Sequence, residues 1–108
     1  MNCIEKAARL IGIEGEMFLA GGGFLIAGKT VQTCGIFNPY TNKADLMDVE
    51  CELGIDIEWF DTVVMAYKYG TGINVREILA EHHDRFTARA HAVMAVVEQI
   101  YDKQFGGE

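Results

Sequence analysis

Residues 23–30 read GFLIAGKT and satisfy the phosphate-binding pattern G-x-x-x-x-G-K-[ST] through Gly23, Gly28, Lys29 and Thr30. In that chemistry backbone N–H groups cradle a nucleotide's phosphates, and a following helix adds the positive end of its dipole. The setting opposes it. The four variable positions are Phe24, Leu25, Ile26 and Ala27, side chains that seek burial in a strand. VQTCGIFNP follows, β-branched and broken by Gly35 and Pro39, so no helix is expected there. A chain of 108 residues also barely holds the parallel βαβ sheet and metal-holding Asp of a nucleoside triphosphatase. A glycine-turned hairpin is the expectation, with no nucleotide site.

Glu81-His82-His83-Asp84 sets four ligand types in a row. Adjacent helical residues point ~100° apart, so the four cannot reach one ion from a helix. Neither H-x-x-x-H nor H-E-x-x-H occurs. The plainer expectation is a helix junction with Asp84 capping the next helix. A continuous helix would bring His83 and His91 to a similar side, so His82, His83 and His91 stay as candidates for metal or acid–base chemistry. Cys3, Cys34 and Cys51 are odd in number, far apart and without a C-x-x-C, which reads as reduced thiols. The chain has no serine, which excludes a serine nucleophile. No cofactor and no enzymatic activity are expected.

The charge distribution is more informative. Asp45, Asp48, Glu50, Glu52, Asp56, Glu58 and Asp61 occupy one window without a Lys or Arg, and these seven acids equal the whole net charge of −7. The nine acids outside it (16 − 7) balance the nine bases. Such a balance disfavours direct binding to nucleic acid or an anionic membrane. The window reads either as a solubilising surface or as a docking face for a basic partner, whose encounter it would accelerate. In the sharper version the carboxylates stand in for DNA phosphates and fill a nucleic-acid-binding groove. A homodimer would double the row.

The elements that position these residues follow from spacing. Asn2 and Glu5 form a capping box ahead of Ile4, Ala7, Ala8 and Ile11, predicting a helix over 2–11 closed by Gly12. EMFLA, FLIA and TVQTCGIF read as two or three antiparallel strands. Thr41 and Asn42 cap a second helix, ADLMDVECEL, ended by Gly54. Its Leu46, Val49 and Leu53 share one face and Ala44, Met47 and Cys51 the other, predicting a helix wedged between two apolar surfaces. IDIEW and TVVMAYKY are two strands, the second with Val63, Met65, Tyr67 and Tyr69 on one face. The capping-box spacing of Asn74 and Glu77 predicts a third helix, INVREILAEHH. Asp84 starts the last, with Phe86, Ala90, Val93, Met94, Val97, Ile100 and Tyr101 inward and Ala88, Ala92 and Ala95 open to another helix or subunit. The order α-β-β-(β)-α-β-β-α(-α) is an α+β fold, a small mostly antiparallel sheet against helices, in one domain over 1–108. No apolar run approaches the ~20 residues of a membrane span. MNCIEKAARL lacks the apolar core of a signal peptide, so a cytoplasmic protein is expected.

Phe37-Asn38-Pro39, Gly54-Ile55-Asp56-Ile57, Asp84, Ala88-Arg89-Ala90 and Glu98 resemble the pattern of small accessory proteins of tailed bacteriophages, the NinX-like group among them. The resemblance spans about two-thirds of the chain, leaves out the glycine-rich hairpin and implies no catalytic residues. It implies a phage accessory protein, and with the acidic window it points to one that inhibits or modulates, in the host cytoplasm, a host or defence protein with a basic, nucleic-acid-binding type of surface. The alternatives are a small ligand- or metal-binding protein or enzyme using His82, His83 and His91, and a structural, oligomeric phage component.

Overall fold

Capping residues set the helix boundaries. The computed structural model describes residues 2–18, 22–28 and 35–106. Helix α1 (Cys3–Leu10) starts where the Asn2 side chain accepts the Glu5 N–H. It ends in a Schellman turn, in which Gly12 N–H donates to Arg9 O and Ile13 N–H to Ala8 O, with Gly12 at φ 83°. Helix α2 (Lys43–Leu53) starts at Asn42, which accepts the Asp45 N–H, and ends at Gly54 in the left-handed region. Helix α3 (Arg85–Phe105) starts at Asp84, which accepts the Thr87 N–H. All three caps fall where the sequence places them.

The strands form two antiparallel sheets. The first, ordered β1-β2-β3, joins Gly15–Phe18, Gly23–Ile26 and Ile36–Phe37. The second, ordered β4-β5-β6, joins Ile55–Trp59, Val63–Lys68 and Ile73–Ile78. Gly23–Ile26 is therefore the central strand of a sheet, paired Phe18↔Gly23 on one side and Phe24↔Phe37 on the other. Gly23 is needed there because a Cβ would stand 2.4 Å from the Ile36 side chain. Lys29 and Thr30 lie outside the described residues, as does Cys34.

Helix α3 organises the core. It packs across β5 and β6 on one side and against α1 and α2 on others. Val93, Met94, Val96 and Val97 are wholly buried, each stabilising the fold by about 1.5–3 kcal/mol through burial. The fold is α+β, as expected. No helix among the described residues is long and apolar enough to cross a membrane.

Three local expectations are corrected. Residues 73–78 form β6 rather than a helix, because Ile73 and Val75 alternate inward and pair with Lys68 and Ala66 of β5; sheet completion outweighs a capping box. The outer face of α2 is uncovered, with Met47 58% exposed and Ala44 and Cys51 also at the surface, so this helix is packed on one side only. Ala88 and Ala92 have no exposure and Ala95 is half-buried, so most of the small-residue side of α3 is already covered within the chain.

Candidate functional site

The sheet β4-β5-β6 has a covered and an open face. Alternation sends Ile55, Val64, Ala66 and Ile73 toward α3, where they are buried. The same alternation turns Asp56 and Glu58 of β4 outward, opposite Tyr67 and Met65 of β5. Across β5 lie Asn74 and Arg76 of β6, again level with Tyr67 and Met65. The open face is thus a half-buried stripe of Val63, Met65 and Tyr67, with acids along one flank and Arg76 on the other. Exposed aromatics lie at its ends: Phe60 (44% exposed) beside the β4–β5 turn and Tyr69 (87%) after β5. Phe60 N–H donates to Val63 O at 2.8 Å, which tightens the turn and leaves Asp61 at its tip.

The seven acids of the window divide. Asp48 and Glu52 on α2, Asp56 and Glu58 on β4, and Asp61 in the turn are exposed and form no ion pair among the described residues. Asp45 is half-buried, and its carboxylate accepts the Asn38 N–H at 2.9 Å. Burial pushes the Asp45 carboxyl above its ordinary range, against the Asn38 hydrogen bond and with help from the Asp48 charge. Asn38 in turn accepts the Tyr40 N–H at 3.0 Å, so Asp45 fastens the Asn-Pro turn ahead of α2. Glu50 departs furthest from the expectation of a surface acid. It is buried, and both its oxygens accept from Arg89 of α3, at 2.8 Å from Nε and 2.5 Å from Nη2. Its role is to tie α2 to α3 with a bidentate ion pair.

The histidines are partly brought together. His82 Nε2 lies 2.7 Å from Glu77 Oε1, and the His82 and His91 ring centroids are 5.0 Å apart. The Tyr40 ring also packs against His91, with centroids 5.1 Å apart. His83 is exposed and joins neither contact. The chain turns at 82–84 before α3 begins, so His82 rather than His83 reaches His91. No group of three His, Cys, Asp or Glu side chains poised for a metal is found among the described residues.

Next to this cluster is a contact that spacing did not reveal. Cys3 Sγ donates to Glu98 Oε2 at 2.9 Å, and the Tyr40 hydroxyl stands beside the same sulfur. Burial, with the Glu98 carboxylate, pushes the Cys3 thiol up to about 11, so at neutral pH it is a proton donor and not a thiolate nucleophile. Burial raises the Tyr40 phenol as well. Residues 95 apart in sequence meet here only because α1 lies along α3. Lys6 one turn on makes the same crossing, its ammonium 3.1 Å from Asp102, whose hydrogen bond raises the Lys6 pKa.

Comparison with protein-family models, with curated proteins and with solved structures gives no match to this chain.

Proposed function

We propose that this chain is a non-enzymatic protein-binding module of phage type, acting in the cytoplasm on a host or defence protein with a basic surface. The observation that carries the reading is the open face of β4-β5-β6, where Asp56 and Glu58, with Asp61 at the adjoining turn, flank a half-buried stripe of Val63, Met65 and Tyr67. An apolar centre with a charged rim is the usual anatomy of a protein interface. The carboxylates would speed encounter with a basic partner, and the stripe would supply the buried area. With Asp45 and Glu50 engaged internally, a duplex-mimicking row rests on Asp56, Glu58 and Asp61 of this face and on Asp48 and Glu52 of α2.

The test is capture from host lysate with the fourfold variant Asp48→Lys, Glu52→Lys, Asp56→Lys, Glu58→Lys. The wild-type chain is expected to retain a basic protein in a salt-sensitive manner, and the variant to lose it while its circular-dichroism melt is preserved. Retention of the same protein by a folded variant refutes the reading.

One observation favours a second copy as occupant of the same face. Glu58 and Arg76 flank Met65 at one level of the sheet. A two-fold axis parallel to β5 therefore sets Glu58 of each copy over Arg76 of the other. Sedimentation would then show a dimer that Arg76→Glu dissociates and Glu58→Arg/Arg76→Glu restores. A monomer at all concentrations removes this reading and leaves the first.

A further inference from the structure

A second site lies on the other side of Trp59, away from the carboxylate face. Lys43 is the first residue of α2, and Arg85 holds the same position in α3. Both open onto a cavity of about 250 Å³, together with Arg89 one turn further along α3. In a chain of net charge −7, three of the nine bases converge on this one hollow.

Two of these cations are positioned without being neutralised. The Arg85 guanidinium lies over the Trp59 ring, 5.2 Å from its centroid, and the Lys43 ammonium lies 5.9 Å from the centroid of Phe86. Neither forms an ion pair among the described residues. An aromatic face holds a cation by its quadrupole but supplies no counter-charge. Arg89 is occupied by Glu50 and forms a rigid wall. Asp84 is close enough to feel the Lys43 charge, but its carboxylate accepts the N–H and hydroxyl of Thr87.

The rest of the lining is apolar, Leu46 at the base and Met47 at the rim. Met47 is an adaptable thioether, 58% exposed, of the kind that closes over varied apolar groups. The volume is below the ~300–1,000 Å³ typical of drug-sized ligand pockets, which limits the occupant to one ring system rather than a whole nucleotide.

We propose that the Lys43–Arg85–Trp59 cavity binds a small aromatic anion, a single ring carrying a phosphate or carboxylate. The anionic group bridges Lys43 and Arg85, and the ring packs on Met47, Leu46 and the edges of Trp59 and Phe86. The helix caps Asn42 and Asp84 already hold the Asp45 and Thr87 amides, so the two side-chain cations supply the anion's contacts.

Trp59 is the only tryptophan of the chain, so its emission reports on this cavity alone. Phenyl phosphate and benzoate, the two probes, are titrated into the full chain and followed by Trp59 fluorescence and by calorimetry. At least one is expected to bind saturably below about 1 mM. Lys43→Ala and Arg85→Ala, both surface positions, are each expected to weaken it about tenfold by calorimetry with the melt unchanged. Phenol and inorganic phosphate alone are expected to bind much more weakly. The proposal is overturned if neither probe saturates by about 10 mM, if both alanine variants bind as the parent does, or if inorganic phosphate binds as well as phenyl phosphate.

Discussion

Replacing Arg89 by Met removes the two hydrogen bonds that hold Glu50 and leaves a carboxylate that is only 8% exposed. Breaking a buried pair from one side costs about 3–5 kcal/mol. The Arg89 side chain is 33% exposed, so water reaches that side of the pair and lowers the expected loss to about 2–3 kcal/mol. For a domain near this size that is a fall in Tm of about 10–15 °C. The assay is a set of circular-dichroism melts on wild type, Arg89→Met, and the double variant Glu50→Leu/Arg89→Met. Removing both partners leaves no stranded charge, so the double variant should return to within about 1 kcal/mol of wild type. Two results refute the reasoning. One is an Arg89→Met melt within about 0.5 kcal/mol of wild type, the range of an ordinary surface change. The other is a double variant that is less stable than the single one. The second result would mean that Glu50 has another role than answering Arg89.

Four further outcomes are expected. Cys51 is exposed and Cys3 is a half-buried thiol whose pKa is raised, so peptide mapping after brief alkylation at pH 8 should find Cys51 modified well before Cys3. The unfolded chain releases the Cys3 proton near its ordinary value of 9.0 and the folded chain near 11, so stability should decline as pH rises through that window, as read by urea melts, and Glu98→Gln should lessen the decline. The Thr87 hydrogen bonds hold the Asp84 carboxyl below its usual range, so its capping contribution is present above about pH 4 and lost as pH falls through the folded value; Asp84→Ala should lower Tm at pH 7 and flatten this acid dependence. Gly15 sits at φ 156° where a Cβ would meet the Leu25 carbonyl at 2.0 Å, so Gly15→Ala should destabilise by more than about 2 kcal/mol in the same melts.

Much of the fold is legible in the chain because its signals are local. Asn2, Asn42 and Asp84 are cap residues whose partners lie three positions on, so short-range spacing suffices to find them. The strand character of Phe24 to Ile26, which disqualifies the GFLIAGKT segment as an anion cradle in its described part, is equally local. The Asn74–Glu77 spacing misled for the converse reason. A capping box contributes on the order of 1 kcal/mol, whereas pairing Ile73–Ile78 along β5 completes a sheet and buries Ile73 under α3.

The sequence by itself determined the α+β class, the starts of the three observed helices and a carboxylate-rich window, since these depend on residue type and on neighbours a few positions away. It also determined that Val63, Met65 and Tyr67 share a face, though not that this face is the open one. Only the tertiary structure decided which acids are free. Glu50 and Glu52 look alike in the chain, yet one turns toward Arg89, thirty-nine residues away, and the other toward water. It likewise brought Cys3 to Glu98, His82 to His91, and Lys43 and Arg85 to one cavity. The physical reason is common to all. A charge or thiol acquires its chemistry from burial and from the group opposite it, and both depend on how α3 is packed against the remaining elements.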